Sequence, residues 1–559
     1  MLRAVKSFLF VLSVWLCPFV GLKPCFAGEP AGDASKYLRS VRTFADTVLE
    51  HGRDVYGDVK TPLLVDGLHV ETLEPVRWKK DGETWVLCNF ASQQTLMRLL
   101  DGLTELTADG TYRTAAEDAT RDALGRLRAP SGLLYWGGHL AWDLDRDKPV
   151  GQGTDAHEMK GHHPYYRLMY RVAPDRAVRL MQAVWAGHIL DWSRLDYNRH
   201  ASVRRTGKPK WDHSFDAEIE VPFPSVGGNL SFCNVTPSLI HAGIVLAVVD
   251  NSSEALTWTE RLVDRWQQGK DPRTGLCGGQ LSYREHDRAR EALGHIHPTI
   301  NEAKIVASYH QSSRYHDLPL VQMQAAERLR QAGNVRDADF VQKLIDTGSD
   351  DLKTYARQCY DAETGKFIGR MTDGTALRWK QARTGYYVPE SFSPRKPNGE
   401  LFWGYALAYR LTGDETHKRM VDELGVQLGL WPADALGEPV EPFDCSNWRM
   451  IYALLELEEA TGDPRYLKLA SMIGDSLLEQ QAPSGLFPRP GREYARTGDD
   501  IPLALLHLAA ALCGRRDEIP AAVFDRRFFH CEYHGPLEEH QKKRADKRTY
   551  DHYVFYGSS

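Results

Sequence analysis

The sequence lacks the features that would place it in several large classes of protein. Its net charge is only -6 over 559 residues, so bulk electrostatics give no indication of a nucleic-acid partner. Its nine cysteines are scattered and none form a CxxC pair, which argues against a disulfide framework or a thiolate metal site and favours isolated buried thiols. Beyond the N-terminal segment, no apolar run approaches the roughly 20 residues that a membrane-spanning helix needs.

The first 27 residues are typical of an export signal. The basic start MLRAVK is followed by the apolar run SFLFVLSVWLCPFVGL and then by CFA before Gly28, which is the order of regions in a secretory signal peptide. Cys17 and Cys25 would be removed with it. Export without a disulfide framework predicts a bacterial periplasmic or secreted protein, with no membrane attachment once the signal is cleaved.

Helical periodicity dominates the remaining chain. Apolar residues recur every three or four positions at Tyr37, Val41, Phe44 and Val48, and again along the block from residue 174 to 192. Two later segments, LFWGYALAYRLTGDETHKRMVDELG and RMIYALLELEEATGDPRYLKLASMIGD, resemble each other and share a TGD turn. Each unit is predicted to be a helical hairpin that must stack on its neighbours to bury both faces.

Both an open solenoid and a toroid satisfy this pattern. The 14 Trp and 24 Tyr are used in large helical cores as well as in sugar-binding clefts, but their frequency in the long connections favours the toroid. We therefore predict an all-α toroid of six or seven hairpins over residues 28–515, with short β excursions in its loops. Residues 516–559 are predicted to be a C-terminal extension, in which the charge run EEHQKKRADKR is a solvated tail segment.

Candidate metal ligands occur in three segments that border helix ends. The stretch DAHEMKGHHPYYRLMYRV at residues 155–172 contains a carboxylate among several imidazoles, and further histidines follow paired glycines and an arginine. The residues concerned are His139, His157, Glu158, His162, His163, Arg199 and His200. Two imidazoles and one carboxylate suit Mn, Fe, Co, Ni or Zn better than Ca, whose preferred ligands are all oxygens. Spacing alone does not separate such a site from ordinary loop or core histidines, and His188, inside a predicted helix, is interpreted as an interior histidine.

The segment from His139 to His200 resembles polysaccharide lyase family two, which comprises exopolygalacturonate and pectate lyases. The resemblance rests on the histidine after a glycine-rich loop, the HE-K-H-PYY-LM stretch, and the arginine that directly precedes a histidine. It implies a helical toroid whose His139, Glu158 and His200 bind a catalytic transition metal, manganese-like or else Zn, Co or Ni. It also implies that Arg199 is the catalytic base and that a polyuronate is the substrate.

The chemistry that this resemblance implies is β-elimination. The C5 proton of a uronate lies next to a carboxylate and is very weakly acidic, so a divalent cation on that carboxylate lowers the barrier to its removal. An ordinary guanidinium keeps its proton, with a pKa above about 12. The role of base therefore requires Arg199 to be desolvated and crowded by positive charge. Lys304 is the second candidate cation: it could assist Arg199, bind the substrate carboxylate, or act as the base itself.

Other residues and other functions stay open at this point. His162 and His163 are predicted to support the metal or contact substrate, with a structural role as the alternative. Basic and aromatic side chains that could bind a polyanion lie at Lys380, Arg383 and Tyr386. A glycoside hydrolase acting on unsaturated uronides would instead need two facing carboxylates, for which the candidates are Asp143, Asp145 and Asp444. A non-catalytic carbohydrate-binding protein would need only the aromatic loops.

Overall fold

The computed structural model describes residues 33–525 apart from gaps at 81–82, 139, 152–155, 160, 285–289, 292–293, 296, 309–313, 334–337, 378–392 and 441. Helices form the framework of this described part. In chain order they are α1 (Asp33–His51), α2 (Gln94–Thr107), α3 (Gly110–Arg126), α4 (Tyr166–Val172), α5 (Pro174–His188), α6 (Thr236–Val249), α7 (Ser253–Gln268), α8 (Leu318–Gln331), α9 (Ala338–Cys359), α10 (Gly399–Thr412), α11 (Glu415–Gln427), α12 (Arg449–Thr461), α13 (Pro464–Leu478) and α14 (Ile501–Leu512).

Successive helices alternate between an inner and an outer layer. The even-numbered helices are inner: α6 is buried at every position from Thr236 to Ala247, because neighbours surround it. The odd-numbered helices are outer and amphipathic: α1 buries only one face, which includes Tyr37, Val41 and Phe44. An outer helix needs one apolar stripe, whereas an inner helix needs apolar residues all round. The periodicity in the sequence therefore encodes the two layers.

The helix pairs form a ring. Each inner helix from α4 onward packs on the next inner helix, and the last one, α14, packs on α2. The first helix, α1, is the outer partner of α14, and the Tyr37 hydroxyl donates a hydrogen bond to the Asp475 carboxylate of α13 at 2.8 Å. Within the described ranges the helices form seven inner–outer pairs, which confirms the predicted toroid of six or seven hairpins.

The repeated turns have the conformations that their sequences require. In both TGD turns the glycine ends an inner helix in the left-handed region, with φ of 66° at Gly413 and 68° at Gly462, where a side chain would be strained. The following aspartates cap the next helix: Asp414 accepts from Thr416 N at 2.8 Å and Asp463 from Arg465 N at 3.0 Å. One short motif thus ends one helix and starts the next.

The long connections all lie at one end of the ring. Connections from an inner to an outer helix are short, whereas those from an outer to the next inner helix are long and contain every described strand. The strands are β1 (Arg53–Asp54), β2 (Thr61–Leu64), β3 (Gly67–His69), β4 (Arg77–Lys80), β5 (Glu83–Cys88), β6 (Leu140–Asp143), β7 (Lys148–Gly151), β8 (Ala156–Glu158), β9 (Ile189–Asp191), β10 (Asp196–Tyr197), β11 (His200–Ser202), β12 (Phe223–Pro224), β13 (Ser282–Tyr283), β14 (Ile305–Val306), β15 (Tyr360–Asp361), β16 (Lys366–Phe367), β17 (Arg370–Met371) and β18 (Tyr494–Arg496). The connection rim, meaning this end at the N-termini of the inner helices, therefore collects segments that are distant in sequence.

Most of these strands form two-stranded pairs. The exception is an antiparallel sheet in the order β4-β5-β6-β7, and β8 pairs with β11. The predicted short β excursions are therefore confirmed.

The described part of the C-terminal extension packs on the ring. Phe524 is 1% exposed, and its backbone N–H donates to the Gln324 side chain of α8 at 3.1 Å. Ile519 is also buried. The described start of the extension thus packs on the ring through Ile519, Phe524 and Asp525. The charge run and the rest of residues 526–559 lie outside the described residues.

The described cysteines agree with the prediction of isolated thiols. They are all free thiols, and all but Cys513 are buried, as expected for isolated interior thiols. No helix within the described ranges is long and apolar enough to cross a bilayer. Cys531 and the predicted signal segment lie outside those ranges.

Candidate metal centre and active site

A two-stranded ladder places Glu158 opposite His200. Strands β8 and β11 are antiparallel, with Glu158 paired to His200 and His157 paired to Ala201. Because side chains alternate along a strand, Glu158 and His200 share one face while His157 and Ala201 share the other. The sequence pattern predicted a loop before a helix for Glu158. Within that connection residues 156–158 form a short strand, whose partner lies some forty residues later, so that no local pattern indicates it.

Three functional groups meet at this face. The Glu158 Oε1 atom lies 3.4 Å from His200 Nε2 and 3.2 Å from Arg199 Nε. The Arg199 Nε–H also donates to His200 Nε2 at 3.4 Å, so that nitrogen presents a lone pair. The Glu158 side chain is 1% exposed, Arg199 24% and His200 35%. The carboxylate therefore forms the floor of the site, and the arginine and histidine reach toward solvent.

The glycines before residue 139 lie directly against Glu158. Gly137 forms a parallel bridge with Glu158, and Asn89 holds Gly137 through two hydrogen bonds, at 2.9 and 3.0 Å. A Cβ atom at Gly138 would lie 2.0 Å from Glu158 Oε2. Only glycine therefore lets the chain pass so close to this carboxylate.

The donor set suits a divalent transition metal. Two ligand atoms each about 2.1 Å from one ion lie about 3.0–3.4 Å apart at tetrahedral or octahedral angles, and Glu158 Oε1 and His200 Nε2 are 3.4 Å apart. His139, the third predicted ligand, lies outside the described residues. Within the described part of the chain no cluster of three or more His, Cys, Asp or Glu forms a metal site. The structure therefore brings together two of the three predicted ligands, in an arrangement that fits an ion.

Buried histidines form a continuous hydrogen-bonded chain behind the site. The Trp136 indole donates to His157 Nε2 at 3.0 Å, His157 Nδ1 contacts His188 Nε2 at 3.0 Å, and His188 Nδ1 contacts the Asn198 carbonyl at 2.7 Å. Burial lowers the pKa of His157 well below its usual value and that of His188 to about 4. Both imidazoles are therefore neutral at pH 7. The interior role predicted for His188 agrees with its position, whereas no sequence pattern indicates its pairing with His157.

His162 and His163 occupy different surroundings. The His162 ring packs edge-on against Trp136, with ring centroids 5.4 Å apart, and its Nδ1 lies 3.4 Å from Asp525 Oδ1. The His163 side chain is completely buried against His241, and burial lowers its pKa to about 3. This position favours the structural alternative for His163 over contact with substrate.

Lys304 lies on the connection rim. It ends a 3-10 turn just before β14 and is half-buried. Backbone hydrogen bonds from Cys233 N to Gly279 O and from Gly279 N to Ile305 O join its segment to the one that follows Arg199. Lys304 thus shares a rim with the site and lies on the long connection that follows the one carrying Arg199. The remaining predicted substrate ligands, Lys380, Arg383 and Tyr386, lie outside the described residues.

Asp143, a candidate for hydrolytic chemistry, is a structural residue. Its side chain has no exposed surface. One carboxylate oxygen accepts from Val86 N at 3.1 Å and the other from Arg146 Nη1 at 3.0 Å, which ties β5 to β6. A carboxylate held in this way cannot face a substrate, so it does not support the two-carboxylate alternative.

Comparisons with known proteins identify similar sequences and folds. The family model described as periplasmic pectate lyase matches residues 61–532. The pectate disaccharide-lyase of Dickeya dadantii (strain 3937) is 27% identical over 526 residues, covering 89% of this chain and 93% of that protein. Among solved structures, a glycoside hydrolase family 76 mannosidase from Bacteroides thetaiotaomicron VPI-5482 covers 86% of this chain and 100% of its own at TM-score 0.39 and 10% identity. A cellobiose 2-epimerase from Bacillus thermoamylovorans B4167 covers 79% and 99% at TM-score 0.38 and 12% identity.

Proposed function

Because this chain belongs to the family of periplasmic pectate lyases and is a polysaccharide lyase, we propose that it cleaves pectate or a related polyuronate by metal-assisted β-elimination. The observation that carries the metal-assisted mechanism is the meeting of Glu158, Arg199 and His200 on the β8–β11 ladder. The Glu158 carboxylate and the His200 Nε2 atom offer a cation an oxygen and a nitrogen ligand side by side, with the Arg199 guanidinium next to both. This arrangement supports a role in catalysis rather than in stability.

In this proposal Glu158, His200 and His139 hold the divalent cation. Glu158 supplies the negative charge and His200 the neutral nitrogen ligand, while the close passage of Gly138 keeps the chain before His139 against Glu158. When bound, a cation of this kind supplies positive charge to the substrate carboxylate and so makes the neighbouring C5–H bond more acidic. A transition metal such as Mn²⁺, Zn²⁺, Co²⁺ or Ni²⁺ suits this mixed donor set.

Arg199 is proposed to remove the C5 proton. It lies next to both ligands, and its side chain is partly exposed on the side where a polymer would bind. In the elimination the C5–H bond breaks, its electrons form the C4–C5 double bond, and the C4–O bond breaks as the departing oxygen takes up a proton. Arg199 must act as a neutral guanidine. Its ion pair with Glu158 therefore has to weaken, because Glu158 would share its negative charge with the bound cation. Lys304 is proposed as the second cation, either beside Arg199 or on a substrate carboxylate.

Substrate contacts are proposed for His162, Lys380, Arg383 and Tyr386. His162 packs on Trp136, just before the glycines that lie against Glu158, and its side chain is 13% exposed. The other three carry the charge and the flat ring that bind a uronate chain. Each is expected to affect KM for the polymer more than the chemical step.

A chelation assay with two matched variants tests the proposed function. The protein is incubated with polygalacturonate and the absorbance of the unsaturated uronide is followed, with and without a chelator and after Mn²⁺ is restored. We expect activity that the chelator removes and Mn²⁺ recovers, and a loss of at least about 100-fold in Glu158→Gln. Glu456→Gln is the control, because Glu456 is a half-buried carboxylate paired with an arginine, Arg410, and it lies on α12 rather than on the β8–β11 ladder.

The assay also distinguishes the alternatives. Chromophore formation that survives exhaustive chelation would contradict the metal-assisted mechanism. Reducing sugar without chromophore would indicate a hydrolase, and binding without either product would indicate a carbohydrate-binding protein. Equal losses in Glu158→Gln and Glu456→Gln would show that the effect is one of stability and not of catalysis.

A further inference from the structure

The buried histidine chain connects the segments that carry the predicted ligands. We propose that His157 and His188 are positioning residues, which hold three separate segments in the register that a divalent cation requires. This inference rests on the proposed metal function and extends it to residues that would touch neither the cation nor the substrate. The hydrogen bonds concerned run from Trp136 through His157 and His188 to Asn198.

The direction of each hydrogen bond is fixed by its two ends. An indole N–H can only donate and a backbone carbonyl can only accept. His157 therefore accepts from Trp136 at Nε2 and donates from Nδ1, and His188 accepts at Nε2 and donates from Nδ1 to Asn198 O. Each imidazole has a single tautomer and both of its nitrogens are satisfied. Such a fully satisfied buried network is rigid, because rotation of either imidazole ring would break two hydrogen bonds at once.

Three members of this hydrogen-bonded series are close in sequence to proposed functional residues. Trp136 directly precedes the two glycines that lie against Glu158, His157 directly precedes Glu158, and Asn198 directly precedes Arg199. His157 points to the opposite face of β8 from Glu158, so its ring lies under the site while the carboxylate lies in it.

The backbone contacts between these segments are few. The β8–β11 ladder is three residues long, and the Gly137 segment meets β8 through one bridge. Two-stranded ladders of this length are weak on their own. The histidine chain adds a link from each segment to the next, as outer-shell partners commonly do at metal sites.

The experiment measures cation affinity together with stability. Mn²⁺ is titrated calorimetrically into chelator-treated protein, and thermal midpoints are recorded for the same samples. We expect His188→Leu to lower Mn²⁺ affinity by about 10- to 100-fold and to lower kcat, with little change in KM for polygalacturonate. His188→Gln, whose amide can both accept and donate, should recover part of the affinity. Trp136→Phe removes only the donor at the start of the chain and gives a second, milder test that does not depend on His188 variants folding.

The matched control is His417→Leu. His417 is also fully buried, and its Nε2 atom shares one hydrogen bond with Ser349 Oγ at 2.7 Å, but it lies on α11, where it contacts α9. Its replacement should lower the thermal midpoint and leave Mn²⁺ affinity unchanged. Parent-like affinity in both His188→Leu and Trp136→Phe, or an equal loss in His417→Leu, would overturn the positioning role while leaving the metal function standing. If the parent itself binds no Mn²⁺, the proposed metal function fails, and this inference fails with it.

Discussion

Glu158 holds a negative charge in a place that water hardly reaches. Its carboxylate is 1% exposed and has Arg199 and His200 within 3.4 Å, so the anion depends on positive charge and polar groups supplied by the protein. The exposed sides of Arg199 and His200 leave room for a further ligand. At the scale of single residues, the site is thus a buried anion with one open side, which is what a cation that must also bind substrate requires.

Gly138 is expected to be essential for activity and dispensable for folding. In Gly138→Ala the new methyl group would lie 2.0 Å from Glu158 Oε2, so the carboxylate must move, and a displacement of about 1 Å can cost about 100-fold in rate. Gly110→Ala is the control, because a Cβ there meets nothing within 4 Å. Steady-state kinetics on polygalacturonate and thermal midpoints compare the two variants. Full activity in Gly138→Ala would contradict the placement of this loop against Glu158.

Individual residues were only partly predictable. The spacing of His139, Glu158 and His200 matches no compact motif, so their association came from resemblance to a family and not from periodicity. The structure brings Glu158, Arg199 and His200 together. The roles of His157 and Asn89 could not be predicted, because each depends on a partner far away in the chain. Asp143 shows the converse: an acidic residue in a promising segment that is used to join two strands.

At the scale of elements, local patterns predicted helices well and strands poorly. The TGD turns were identified from sequence because one glycine and one aspartate each have a fixed local task. The strand β8 was missed because His157 and Glu158 are stabilised by β11 and not by their neighbours. The block predicted as one helix to residue 192 ends at His188, where His188 turns to the Asn198 carbonyl.

The aspartate caps of the two TGD turns should contribute to stability and not to activity. Asp463→Ala removes the side chain that accepts from Arg465 N at the start of α13, and Asp414→Ala removes the equivalent cap of α11. Each substitution should lower the free energy of unfolding by about 1 kcal/mol, measured by urea denaturation. Neither should alter lyase activity, since both turns lie at the end of the ring opposite the connection rim. A loss of activity without a loss of stability in either variant would be inconsistent with this division between the two ends.

The whole molecule is a ring whose two ends have different tasks. Short turns at one end set the helix pairs, and long connections at the other carry the site, so insertions and functional residues are concentrated where they do not disturb the packing. The predicted toroid and the polysaccharide lyase assignment are both confirmed, and the family is periplasmic, as the sequence indicated. The burial of Ile519 and Phe524 after the last helix was not predictable, because that segment has no periodic pattern of its own.

Stability should fall steeply in mild acid. Burial lowers the pKa of His163 and His507 to about 3 and that of His188 and His417 to about 4. At pH values below about 6.5, the usual pKa of histidine, these imidazoles are protonated in the unfolded chain but stay neutral in the folded chain. The free energy of unfolding therefore falls as the pH falls from about 6.5 toward 4.

His417 allows this effect to be measured away from the site. Burial is the largest cause of its lowered pKa, with Asp414, Lys353 and Asp350 nearby. His417→Leu should remove about 2 kcal/mol of the difference in unfolding free energy between pH 7 and pH 5, measured by denaturation at both values. An unchanged difference would mean that His417 is protonated in the folded protein.

The position of a bound cation tests directly whether Glu158 and His200 share one divalent ion. Crystals of the protein grown with Mn²⁺ are measured at the manganese absorption edge, where anomalous scattering locates the ion. We expect one strong anomalous peak within about 2.2 Å of both a Glu158 carboxylate oxygen and His200 Nε2. This peak should be lost in Glu158→Gln. A peak at another place on the protein, or none between these two side chains, would contradict the proposed metal site.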